Sequence, residues 1–125
     1  MSPETTTELG RRAEARATEY LESRGLELLE RNFRCRGGEI DLVMSDGGVL
    51  VLVEVRSRSS AKFGGAAASV DPRKQRRLVL AARTLLAMRP RYSRMRARFD
   101  VIAFEPGGDA ASERQVIWIK DAFRL

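Results

Sequence analysis

The chain has 125 residues, 23 of them Lys or Arg against 17 Asp or Glu, with no histidine and a single cysteine, Cys35. That length builds one compact domain, residues 1–125, around one core, and the missing residue types exclude a Ser-His-Asp triad, an imidazole base, an internal disulfide and a zinc site rich in Cys or His. Any catalysis must therefore run on carboxylates, Lys or Tyr, or on a hard cation held by oxygen ligands. The net charge of +6 and a pI near 10.4 suit a polyanionic partner such as nucleic acid. Only 3 of the 23 basic residues are Lys, a skew that genomic base composition also explains.

Residues 1–7 are expected to be flexible. Met1-Ser2-Pro3-Glu4 offers neither the basic nor the apolar part of a secretory signal, so the expectation is a cytoplasmic chain. The first helix is read from Glu8 to Arg24, with Leu9, Ala13, Ala17, Tyr20 and Leu21 on one face, Thr5 and Glu8 as a capping box and Gly25 as the stop. Strands follow over Leu26 to Arg34, Glu39 to Ser45 and Val49 to Arg56, with turns at Gly37-Gly38 and at Asp46-Gly47-Gly48. The apolar run from Val49 to Val55 is too short to span a bilayer.

Residues 57–70, rich in Ser, Ala and Gly, read as a long loop of the kind that often carries function. Asp71 and Pro72 supply the N-cap and first position of a helix bearing Leu78, Ala82, Leu85 and Leu86, to about Met88. A basic connector, Arg89 to Arg98, leads to a strand over Phe99 to Glu105, a turn at Pro106-Gly107-Gly108 and a last strand near Gln115 to Lys120. The order is α-β-β-β-α-β-β.

Two acidic sets interrupt apolar strands: Glu39-Ile40-Asp41 and Glu54-Val55-Arg56. Residues two apart on a strand share a face, so Glu39 with Asp41, and Glu54 with Arg56, point together. Across the hairpin at Asp46, Asp41 and Glu54 can approach, with the Val55 carbonyl as a further oxygen ligand. Two carboxylates about 4 Å apart repel by roughly 4 kcal/mol at an effective dielectric of 20, which favours a shared proton or a bound cation. With oxygen ligands alone, magnesium or manganese is the natural ion. The competing reading of both acids is an ordinary ion pair with Arg34, Arg36 or Arg56.

Glu14, aligned with Ala17 and Leu21, can lean over the sheet towards Asp41 or remain a solvated helix residue. Lys74 and Gln75, on the first turn of the second helix, are candidates for a phosphate contact or a displaced catalytic lysine, against a solvated basic face. Arg56 can clamp a phosphate but cannot act as a base. Asp100 is a further buried-acid candidate, which a pair with Arg98 or Arg56 would explain. Trp118 and Cys35 read as core.

Taken together, Gly10-x-x-x-Glu14-x-x-Ala17-x-x-Tyr20-Leu21, Gly25, Arg31-Asn32, Gly38-Glu39-Ile40-Asp41-Leu42-Val43, Val53-Glu54-Val55-Arg56-x-Arg58, Lys74 and Arg98-Phe99-Asp100-Val101-Ile102 resemble the YraN-like family. These are small uncharacterised bacterial proteins similar to restriction-endonuclease-like nucleases and archaeal Holliday junction resolvases. The resemblance runs from about Leu9 to Phe123. It implies an α/β fold with an αβββαβ core, a mixed central sheet flanked by helices and an additional C-terminal strand. It further implies Asp41 and Glu54 as ligands of magnesium or manganese, Glu14 contributing from the first helix, and position 56 as the usual lysine, here Arg56. Glu39, Lys74, Gln75 and Arg58 are then supporting or nucleic-acid-binding residues. The implied activity is endonucleolytic, on DNA and on branched or damaged structures, with a homodimer by analogy with resolvases. The rival expectations are a catalytically weakened nucleic-acid-binding module of the same fold and a basic protein-interaction domain.

Overall fold

The computed structural model describes residues 6–57, 70–106 and 114–124. Helix α1 (Thr6–Ser23) leads into three strands, β1 (Glu27–Cys35), β2 (Gly38–Asp46) and β3 (Val49–Ser57). Helix α2 (Pro72–Met88), a 3-10 turn (Pro90–Tyr92), β4 (Ala97–Pro106) and β5 (Arg114–Phe123) follow. The strands form one mixed sheet in the order β1-β2-β3-β4-β5, antiparallel except where β4 lies parallel to β3. A parallel neighbour requires a crossover, and α2 lies within that connection. The result is an α/β fold with the expected αβββαβ order and a further C-terminal strand.

Alternation along β3 divides the core between the two helices. Leu50 and Leu52 pack with Leu78, Ala81, Ala82 and Leu85 of α2, whereas Val51 and Val53 pack with Ala13, Ala17 and Leu21 of α1. Each helix thus buries one stripe on one face of the sheet. The α1 stripe begins at Ala13 rather than Leu9, whose side chain is 52% exposed.

The helix boundaries follow their local chemistry. At Gly25 the φ of +95° lets the Leu26 N–H reach the Leu21 carbonyl at 3.1 Å and the Gly25 N–H reach Glu22 at 3.1 Å, a Schellman stop. Asp71 caps α2 through the Lys74 N–H at 2.8 Å, with Pro72 following. Thr5 lies outside the described residues.

Several boundaries differ from the sequence reading. The β1–β2 turn is Arg36-Gly37, because Gly38 already pairs with Cys35. The basic connector contains the 3-10 turn, whose Tyr92 is buried and donates to Glu30 at 2.7 Å. Strand β5 runs to Phe123, beyond Lys120, because Phe99 pairs with Phe123 and their rings stack at 4.5 Å. Cys35 and Trp118 are half-buried and lie against the core rather than within it. Among the described residues no helix is long and apolar enough to cross a membrane.

Candidate functional site

Strand β2 turns over at Asp41. On a regular strand Ile40 and Leu42 would share a face, yet Ile40 packs with the α2-side core and Leu42 with the α1-side core. Opposite Asp41 on β1 stands Asn32, at φ +51°, between the pairs Arg31↔Leu42 and Phe33↔Ile40. Asparagine tolerates this left-handed conformation better than most residues. The face-sharing rule therefore does not carry from one side of Asp41 to the other.

On its other side β2 parts from β3 at the same place. Pairing ends at Leu42↔Val53, and beyond it the Val55 N–H donates to Asp41 Oδ2 at 2.8 Å. A side chain thus takes over from the backbone ladder. It is the N–H of Val55, expected as a carbonyl ligand, that meets Asp41. Asp41 and Glu54 are 7% and 5% exposed, so both carboxylates stand in low-dielectric surroundings at the end of a broken ladder.

Burial and the charge of Asp41 push the Glu54 pKa up to about 7, opposed by Lys74 and Arg56. Burial and the charge of Glu39 raise Asp41, opposed by the Val55 hydrogen bond and by Lys74 and Arg56. Arg56 Nη1 and Lys74 Nζ each lie 3.5 Å from Glu54 Oε1. Glu54 Oε2 is buried and accepts no hydrogen bond among the described residues, an arrangement that is costly unless a proton or cation occupies it. Glu54 thus has one oxygen beside two cations and one without a partner among the described residues, and Asp41 has one oxygen held by the Val55 N–H.

The remaining candidates separate. Glu14 is half-buried, and burial with the charge of Asp41 raises its pKa. The Asn32 amide, turned with its nitrogen towards Glu14, donates to both carboxylate oxygens at 3.2 and 3.3 Å. Glu39 pairs on the surface with Arg34 at 3.1 Å. Gln75 turns back to the Val70 carbonyl at 3.0 Å. Arg58 lies outside the described residues. Among those residues no three Asp, Glu or Cys side chains cluster closely enough to cage an ion, so the unit on offer is the pair Asp41 and Glu54. Two buried carboxylates, one with an unpartnered oxygen, fit magnesium, which keeps several of its waters and takes one or two protein carboxylates.

Asn32 carries a role that the strand reading missed; the available signal was a strand-breaking residue inside β1. Asp100 belongs to a separate buried network. It accepts from Arg98 Nε at 3.0 Å, Trp118 Nε1 at 3.0 Å and the Asp121 N–H at 3.0 Å. Its partner is Arg98, not Arg56.

The uncharacterised protein family UPF0102 matches residues 13–104, which include Glu14, Asn32, Asp41, Glu54, Arg56 and Lys74. A UPF0102 protein of Pseudomonas putida (strain GB-1) is 49% identical over 123 residues, covering 98% of each chain. One of Halorhodospira halophila is 51% identical over 128 residues, covering 99% of this chain and 97% of its own. One of Janthinobacterium sp. (strain Marseille) is 51% identical over 124 residues, with 98% and 93% covered. Matched over most of its length and by relatives of nearly its own size, the chain belongs to UPF0102, the YraN-like group to which its motifs pointed.

Proposed function

We propose that the chain binds nucleic acid, DNA foremost, and hydrolyses its phosphodiester backbone with the aid of magnesium or manganese, branched or damaged DNA being the substrate class to test first. The observation that carries this reading is the buried Asp41 and Glu54 pair. Glu54 Oε2 lacks a partner among the described residues, while two cationic side chains stand 3.5 Å from Glu54 Oε1.

Asp41 and Glu54 would hold the ion. When bound, it supplies charge stabilisation for the phosphorane and a water of lowered pKa. The chain's own residues supply the rest. The Val55 N–H fixes Asp41, so that its second oxygen has a defined direction. Arg56 remains protonated and can fork onto two phosphate oxygens. Lys74, also 3.5 Å from Glu54 Oε1, can neutralise phosphate charge and orient the attacking water. Such sites act on a backbone rather than on a base, which agrees with the basic charge of the whole chain.

Junction, flap, duplex and single-stranded oligonucleotides, incubated with the protein in magnesium or manganese, test the reading. Cleavage that disappears in both Asp41→Ala and Glu54→Ala supports it. Substrates left intact under every condition, or cut equally by those variants, would sink it. Magnesium is also expected to raise the thermal midpoint of the wild type and not that of Asp41→Asn. A ligand at a hundred times its Kd adds about 2.7 kcal/mol to stability.

Arg56 favours one second reading, a binding module of the same fold that has lost catalysis. Oligonucleotide binding without cleavage, followed by cleavage in Arg56→Lys, would establish it.

A further inference from the structure

Beside the Asp41 and Glu54 pair, a cleft of about 290 Å³ opens between the β1–β2 hairpin and α2, lined among others by Arg34, Arg36, Glu39, Lys74 and Arg77. That volume lies at the lower edge of the ~300–1,000 Å³ typical of ligand pockets. Four cations face one acid there. Arg34 pairs with Glu39 at 3.1 Å, and Lys74 shares Glu54 with Arg56. Arg36 and Arg77 are exposed and have no ion pair among the described residues. The cleft thus keeps an uncompensated positive charge.

The floor of this cleft is built for close approach. A Cβ on Gly38 would come within 2.9 Å of the Arg77 carbonyl, and one on Gly37 within 3.2 Å of Leu80 Cβ. The two glycines let the hairpin press against α2, and Arg36 and Arg77 line one narrow opening between them. Lys74 lines this cleft and also pairs with Glu54, which ties the opening to the candidate catalytic pair.

We propose that this cleft seats one backbone phosphate of a nucleic acid strand, held by Arg36 and Arg77, next to the phosphate that lies at Asp41 and Glu54. The proposal rests on the nucleic-acid reading above but not on catalysis. An acidic peptide is the rival occupant. A phosphodiester fits better, because the opening is small and two arginines line it from different elements, an arrangement suited to a compact tetrahedral anion.

The test is binding of fluorescein-labelled duplex and single-stranded DNA, followed by anisotropy in EDTA across a salt series, so that no cleavage is needed. Losing one phosphate contact lowers the slope of log affinity against log salt by about 0.9 for duplex DNA. The expected result is that fall in Arg36→Ala/Arg77→Ala, with the slope retained in Arg36→Lys/Arg77→Lys. Arg83→Ala/Arg94→Ala, which removes the same charge from exposed positions outside the cleft, should leave the slope unchanged. If Arg77→Ala disturbs α2, Arg36→Ala alone should lower it in the same direction, by no more than about 0.9. An unchanged slope, an equal fall in the Arg83 and Arg94 control, or tighter binding of polyglutamate than of DNA would overturn the proposal. Binding is read in EDTA without turnover, so absence of cleavage, which sinks the nuclease reading, leaves this one standing.

Discussion

Lys74 Nζ, carried on the first turn of α2, stands 3.5 Å from Glu54 Oε1 near the end of β3. Arg56, two residues along the same strand, reaches the same oxygen at the same distance. The helix thus brings an amine to the position beside which the strand supplies only a guanidinium. An arginine does not replace a lysine where a compact charge must orient water.

From this geometry, Lys74→Ala is expected to lower the single-turnover cleavage rate by about 100-fold, the lower end of what a positioned proton-handling group contributes. Arg56→Lys should keep or raise the rate. Cleavage by Lys74→Ala at the wild-type rate would return the role to Arg56.

The Glu54 carboxyl gives a stability signature that needs no substrate. Burial and the Asp41 charge raise its pKa from 4.5 to about 7, so the folded chain holds this proton more tightly than the unfolded one. Its contribution is full below about pH 4.5 and is lost as the pH rises through about 7. A tenfold change in proton affinity is worth about 1.4 kcal/mol, so the loss is a few kcal/mol. Glu30 is shifted the other way, held down by Arg89 and Tyr92 against its own burial, and contributes stability that is lost on acidification. Urea midpoints from pH 4 to 8 in EDTA should therefore fall more steeply for the wild type than for Glu54→Gln. Parallel curves would show that Glu54 does not hold a proton in this way.

Gly38 is a second point where sequence and packing meet. A Cβ at this position meets the Arg77 carbonyl at 2.9 Å, an encounter with backbone that cannot swing aside. Gly38→Ala should cost about 1–3 kcal/mol, the range for overpacking a closed site. Gly10→Ala, with nothing within 4 Å, should be neutral or stabilising by the helix propensity of alanine. Equal denaturation midpoints for the two variants would remove the close approach as an explanation.

The order of elements was legible because each signal was local. Gly25 stops α1, Asp71 and Pro72 start α2, and Gly47 and Gly48 turn β2 into β3 with φ values of +55° and +89°. Asp41 and Glu54 were legible as a pair because apolar strands leave acids conspicuous and the Asp46 turn fixes their register. The reversal of β2 at Asp41 was not, because it arises from Asn32 on the neighbouring strand and from two separate helices pulling Ile40 and Leu42 to opposite sides. Spacing along one segment cannot report a partner in another. The same holds for Arg36 and Arg77, which line one cleft where two glycines admit the helix.

Asp100 shows how the last strand is held. Its side chain is fully buried, and it accepts from Arg98, from Trp118 Nε1 and from the Asp121 N–H. Two of those donors belong to β5, and Asp121 adopts φ +51° at that point. Arg98 also reaches Asp46 at 3.0 Å, so the acid links β5 to the β2–β3 turn through one guanidinium. Removing one partner of a buried charge pair leaves the other uncompensated, at a cost of about 3–5 kcal/mol. Asp100→Ala should reach that range, reduced where the Asp46 pair retains Arg98, and Asp100→Asn should cost less because it keeps the shape and an acceptor oxygen. Trp118 is the sole tryptophan, so its fluorescence reads the loss of this contact directly. In Asp100→Ala its emission should shift to the red before the far-ultraviolet signal is lost on urea titration. Coincident transitions with less than about 1 kcal/mol lost would mean that β5 is held by its ladder and by the Phe99–Phe123 stack instead.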